Sequence, residues 1–115
     1  TIRSHLALLT AGAAPVTELR VSGGDSRLGT WNRNKADVTG VPVTVVPDDA
    51  AVTGVAMLAG LGTGVYREVD EAIDRCLRLG ERFEPDPAVH DAYEERYAAF
   101  QALAAAEVVR SRRPS

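Results

Sequence analysis

Only two stretches of this chain read as strands, and both are short. In "VTELRVS", residues 16–22, Thr17, Leu19 and Val21 alternate with Glu18, Arg20 and Ser22, the period-2 pattern of a half-buried strand. "VPVTVVP", residues 41–47, is a β-branched run bracketed by Pro42 and Pro47. The remaining periodic segments are helical. Helices and strands therefore alternate, which predicts an α/β layer with a mainly parallel sheet. Two strands cannot cover five helices, so further strands are expected upstream or from a partner chain.

The helices follow from apolar spacing. Ile2, Leu6 and Leu9, at i, i+4 and i+7, predict a first helix over 2–10 that ends in "AGAAP". It starts with Thr1 instead of Met and with no cap in front, as a segment of a longer protein would. A second helix is expected from about Thr30 to Thr39, with Gly40 as its C′ residue. Asp48 and Asp49 are placed to cap a third, "AAVTGVAMLAG", which is apolar or small on nearly every side and is expected to be buried all round. "GLGTG" ends it. In "EVDEAIDRCLRLG", Val69, Ala72, Ile73, Cys76 and Leu77 form one stripe, with Gly80 as the stop. The last helix enters on Asp86 as N-cap and Pro87 at N1. Its stripe of Val89, Tyr93, Tyr97, Phe100 and Leu103–Ala104 is read as a packing face, because no basic residues line it as they would a base-stacking platform.

Charge narrows the function classes. A net charge of −3 gives no basic field for nucleic acid or a membrane surface. The one dense basic cluster, Arg110, Arg112 and Arg113 in "RSRRPS", reads as a solvated terminus. No apolar run approaches the roughly 18 residues that span a bilayer. The single cysteine, Cys76, forms no intramolecular disulfide, fits a reducing compartment and is expected as a buried core thiol. Aromatics make up only 5% of the chain, so the core must come mainly from Val, Leu and Ala.

The first strand stops at Gly23-Gly24, in "LRVSGGDSRLGTW", just ahead of a helix. Such a turn brings bare backbone close to a ligand, most often phosphate, in front of helix N-terminal amides. A tight turn with no ligand is the alternative. The dinucleotide fingerprint G-x-G-x-x-G is not supplied by "GGDSRLG". Gly24 and Gly29 have Walker-A spacing, but Thr30 and Trp31 stand where that motif needs Lys and Ser/Thr. Other chemistry is sparse. His5 and His90 have no partners at zinc spacing, His90 and Glu94 read as a solvent pair at i, i+4, and Asp48-Asp49 read as caps and not as a cation site.

The order of the pieces is more specific than any one of them. A strand ending in Gly-Gly leads to a helix containing Trp31 and "ADVTG", then "VPVTVV". A small-residue helix around Gly54, "GLGTG" and a closing "EPDP…Y…Y" helix follow. From Leu19 to Leu103 this resembles the C-terminal segment of the FGGY family of carbohydrate kinases, in particular its xylulokinase-like and autoinducer-2-kinase-like members.

The resemblance implies part of the C-terminal lobe of an actin-like ATPase (ribonuclease H-like) fold, incomplete on its own. Residues 1–115 would be the C-terminal segment of the nucleotide-side domain, with the N-terminal sugar-binding domain absent from the chain. It implies ATP and Mg²⁺ as cofactors, a sugar or polyol (a ketose such as xylulose) as substrate, and a cytoplasmic location. The missing N-terminal part of the same protein would be the main partner, and a homodimer stays open. The nucleotide-binding residues carried over are Gly23, Gly24, Asp25, Ser26 and Leu28. The first three would approach phosphate and ribose, and Leu28 would fall near adenine. Asp25 departs from the family's small residue, and its carboxylate would repel phosphate unless it caps the helix, points away or shares Mg²⁺. Leu28 replaces a common Ser or Asn, leaving packing or backbone contact only. Arg33, where Gln is common, reads as a surface residue. The catalytic aspartate and sugar contacts would lie upstream, so no catalytic residue or metal ligand is assigned within the chain. Two other classes compete: an actin-like ATPase or assembly module that binds nucleotide without phosphorylating sugar, and a stand-alone interaction domain with an empty glycine turn.

Overall fold

The computed structural model describes residues 1–12, 14–47 and 49–111. In chain order these form α1 (Ile2–Thr10), β1 (Leu19–Val21), a 3-10 turn (Gly24–Arg27), α2 (Gly29–Thr39), β2 (Val43–Val45), α3 (Ala50–Gly62), α4 (Val69–Cys76), β3 (Arg82–Phe83) and α5 (Pro87–Ser111). None of these helices is long and apolar enough to cross a membrane.

The sheet has three strands in the order β1-β2-β3. β1 and β2 are parallel, with Leu19 opposite Val43 and Val21 opposite Val45. β3 joins antiparallel, with Phe83 opposite Val43. The third strand is absent from the sequence reading, and the expectation of a mainly parallel sheet holds for only one of the two pairings. β3 has two residues, too few to show a period.

Strand alternation sorts the two sheet faces. Leu19, Val21, Val43, Val45 and Phe83 turn to one side and pack with Ala36 of α2 into the core. On the other side Arg20, Thr44 and Arg82 lie in register across the three strands. Glu18 ties this row together, accepting from the Thr44 hydroxyl and from Arg82 Nη1 at 2.9 Å. The Thr44 hydrogen bond, followed by the bond and charge of Arg20 and the charge of Arg82, holds the Glu18 carboxyl below its usual range against the opposing effect of burial. One sheet face is thus apolar and covered by a helix, and the other is polar and laced with ion pairs. The helices do not enclose the sheet.

The helix ends are set by local chemistry. Gly40 closes α2 in the left-handed conformation with φ 68°. Asp86 caps α5, its Oδ1 accepting from the N–H groups of Ala88 at 2.9 Å and Val89 at 3.3 Å. Thr1, read as leaving α1 uncapped, does cap it: its Oγ1 accepts from Ser4 N–H at 3.2 Å. Asp49 takes the N-cap position of α3 without a side-chain cap bond, so the expected aspartate cap is not formed there. Asp48, the other half of that expectation, lies outside the described residues, as do Arg112 and Arg113.

Three further expectations are corrected. α4 ends at Cys76, four residues before Gly80, because Leu77 turns extended at φ −71°, ψ 126°. Gly80 serves the sheet instead: its N–H donates to Val45 O at 2.7 Å, and a Cβ there would lie 3.1 Å from that oxygen. α3 is not buried all round. Only Gly60 is buried, and Val52, Val55 and Leu58 are 72%, 67% and 70% exposed. Cys76 is half-buried, not a fully enclosed thiol, and its Sγ lies 3.1 Å from the Tyr66 hydroxyl.

α5 packs through its first half only. His90 Nδ1 donates to Asp37 O at 2.8 Å, and Asp37 Oδ1 accepts from the Asp86 N–H at 2.8 Å. His90 is therefore a bridge to α2 and not a solvent partner of Glu94. Glu94 binds Arg3 of α1 through two hydrogen bonds, at 2.7 and 3.2 Å. Tyr93 and Tyr97 are half-buried, whereas Val89, Phe100, Leu103 and Ala104 stay exposed. The expected packing stripe is thus used only along part of its length.

Candidate functional site

The glycine turn leaves the carboxyl end of β1, the end at which open α/β sheets bind ligands. Gly23 adopts φ 90°, ψ −174°, a conformation that favours glycine. The backbone then makes one 3-10 turn, with Ser26 N–H donating to Gly23 O at 3.0 Å and Leu28 N–H to Asp25 O at 3.2 Å. Leu28 is extended at φ −89°, ψ 99° and leads directly into α2.

The turn is open. A Cβ added at Gly23 or at Gly24 would meet no atom within 4 Å. Asp25 and Leu28 are exposed, Leu28 at 60%. Ser26 is the exception: it is buried, and its hydroxyl donates to Gly23 O at 2.7 Å. Its side chain therefore shapes the turn from inside. All five residues singled out in the sequence lie on this one turn, four facing solvent and one facing inward. Arg33 is a surface residue, its guanidinium 5.5 Å from the centre of the Phe83 ring.

One residue of the site carried no sequence signal by itself. Asn32, on the first turn of α2, is 1% exposed, and its Nδ2 donates to Ser26 O at 2.7 Å. A carbonyl can only accept, which fixes the orientation of the amide. Its Oδ1 is buried and has no hydrogen-bond partner among the described residues. An unmet buried acceptor of this kind costs about 1–3 kcal/mol. The available hint was spacing: Asn32, Ala36 and Thr39, at i, i+4 and i+7, form the buried side of α2.

A cavity of about 180 Å³ opens nearby, at the carboxyl end of β2, lined by Val46, Pro47, Thr53, Met57, Cys76 and Arg78 among others. It does not include the glycines. The turn is an exposed rim, and a ligand lying on it needs a second wall. Among the described residues no three His, Cys, Asp or Glu side chains gather as a metal site.

Comparison with known proteins gives this geometry a family. The chain is 34% identical over 88 residues to the autoinducer-2 kinase of Escherichia coli, covering 76% of this chain and 17% of that protein. It is 34% identical over 105 residues to the L-xylulose/3-keto-L-gulonate kinase of E. coli, covering 90% of this chain and 21% of that protein. The crystal structure of xylulose kinase from Rhodospirillum rubrum superposes with a TM-score of 0.76 at 32% identity, over 91% of this chain and 22% of that one. The chain thus spans about a fifth of the length of these relatives. Its fold is that of part of the C-terminal domain of the FGGY sugar kinases, an actin-like ATPase fold. The model of the FGGY C-terminal domain matches residues 1–63, which hold α1, the glycine turn and the parallel strand pair, and the chain belongs to the FGGY family of carbohydrate kinases.

Proposed function

We propose that this chain is the C-terminal, nucleotide-side segment of an ATP-dependent kinase for a sugar or polyol, with ketoses such as xylulose as the leading substrate class. The carrying observation is the bare backbone at Gly23 and Gly24, within the residues matched by the family model. The kinases named among the relatives support the substrate class. In this reading the nucleotide lies on the rim formed by Gly23, Gly24, Asp25, Ser26 and Leu28. The glycines admit phosphate and ribose to the main chain. Leu28 offers an apolar surface to the base. Ser26 contributes through the shape it gives the turn, since its hydroxyl is engaged with Gly23 O.

ATP would supply the phosphoryl group, and the residues of this chain would bind and orient it. No three ligating side chains gather among the described residues, so Mg²⁺ would be carried mainly by the nucleotide's phosphates and by water. The base that accepts the sugar's hydroxyl proton, the sugar contacts and the second wall of the nucleotide site belong, in this reading, to the remaining part of the kinase. That same part would cover the apolar side of α3. The reducing compartment fitted by a single cysteine favours the cytoplasm.

The test is calorimetric titration of the full-length kinase with ADP, comparing wild type with Gly24→Val. Position 24 suits the purpose because its φ is not positive and a Cβ there meets nothing within 4 Å, so the fold tolerates the side chain. ADP affinity should weaken at least about tenfold, equivalent to ~1.4 kcal/mol. An unchanged affinity removes the nucleotide from this turn.

A further inference from the structure

We infer that Asn32 is a positioning residue for nucleotide on the glycine turn, acting through Ser26; this rests on the function proposed above. Three hydrogen bonds run inward from the turn in series. Asn32 Nδ2 donates to Ser26 O at 2.7 Å, and Ser26 donates twice to Gly23 O, from its hydroxyl at 2.7 Å and its N–H at 3.0 Å. The Gly23 carbonyl is thereby held toward the protein at the residue whose φ of 90° sets the direction of the turn. Asn32 is itself fixed by its backbone, since its N–H donates to Leu28 O at 3.0 Å. It therefore grips both ends of the segment 26–28 from beneath while the outer surface stays open.

Simple packing does not account for this choice. The site buries a side chain to 1% exposure and leaves its Oδ1 without a partner among the described residues. An apolar side chain of similar size would avoid that cost. What the apolar chain lacks is the donor to Ser26 O. Ser26 is the only buried residue of the 3-10 turn, so its carbonyl has little access to water as a substitute.

The experiment measures steady-state kinetics of the full-length kinase for Asn32→Leu and Asn32→Asp, with Ser26→Ala and Gly24→Val as references. Asn32→Leu should raise the KM for ATP and the Kd for ADP about five- to tenfold, the effect of one neutral hydrogen bond. The KM for the sugar should not move. Asn32→Asp, which keeps the shape but removes the donor, should do the same or more. Ser26→Ala should act in the same direction, and combining it with Asn32→Leu should give less than the product of the two effects. A merely structural asparagine would lower kcat with the fraction of folded enzyme and leave both KM values unchanged; that result overturns the inference. If Asn32→Leu does not fold, Asn32→Asp and Ser26→Ala decide it by the same split. Should Gly24→Val weaken ADP while the Asn32 variants do not, the inference alone fails. Should Gly24→Val leave ADP binding intact, the nucleotide reading falls and the inference with it.

Discussion

The ring of His90 lies so close to the backbone of Gly40 that a Cβ at position 40 would sit 2.7 Å from its Cε1. The contact fixes the start of α5 against the end of α2, beside the bond from His90 Nδ1 to Asp37 O. Gly40→Ala meets two penalties: a left-handed φ of 68° and a ring already held by its bond to Asp37 O. The backbone term alone is about 1–2 kcal/mol. Thermal unfolding followed by circular dichroism should show a clear loss for Gly40→Ala. Gly12→Ala is the control, because a Cβ there meets nothing within 4 Å. Equal shifts for the two variants would remove the contact from the list of structural determinants.

A similar approach joins Gly60 to Tyr66. A Cβ at Gly60 would lie 2.5 Å from Cδ2 and Cε2 of the tyrosine, whose hydroxyl meets Cys76 Sγ at 3.1 Å. Gly60→Ala must push the ring aside and uncover the thiol. The reaction of Cys76 with an aromatic disulfide reagent should accelerate about tenfold, as a ~1.4 kcal/mol loss of local protection gives. Cys76 is the only cysteine of these 115 residues, so the signal measured on this chain is unambiguous. An unchanged rate would mean that Tyr66 does not guard it.

The ion pair between Arg3 and Glu94 makes the α1–α5 contact pH-dependent. Its hydrogen bonds, more than its coulombic attraction, hold the Glu94 carboxyl below its ordinary value of 4.5. A carboxyl whose folded pKa is depressed stabilises the fold above the unfolded value and loses that contribution as pH falls through the folded one. The contribution should thus be full at neutral pH and fade below about pH 4.5. With Glu94 38% exposed, it falls in the ~0.2–1 kcal/mol range of solvated pairs. Chemical denaturation of wild type and Glu94→Gln should differ at pH 7 and converge in acid, once the pH lies below the depressed folded pKa. A gap that widens in acid would reverse the assignment.

The sequence was most legible where a single residue type decides an outcome. Gly40 and the Asp86-Pro87 pair mark helix ends because left-handed φ and N-terminal capping are properties of those residues. The glycine turn was visible for the same reason. Gly80 reads as a helix stop, but a glycine also permits close approach, and here the approach is to Val45 O. Asn32 carries no signal in the sequence because its contact is with Ser26, six residues back, and exists only within the folded 3-10 turn. α3 differs for another reason. Its apolar composition suits a buried helix, but among the described residues nothing covers Val52, Val55 and Leu58.

Val52, Val55 and Leu58 recur at i, i+3 and i+6 on one side of α3, and all three are at least two-thirds exposed. If they face solvent in the functional protein, a polar substitution costs little anywhere. If the remainder of the proposed full-length protein covers them, the cost appears only when that part is present. Leu58→Gln should therefore change the stability of the 115-residue chain by no more than about 0.5 kcal/mol. In the full-length protein proposed above the same substitution should cost about 1.5–3 kcal/mol, the worth of burying one large aliphatic side chain. Denaturant midpoints of the two forms measure the difference directly. Equal and small effects in both would leave α3 a solvent-facing helix and would count against the chain being seated in a larger kinase.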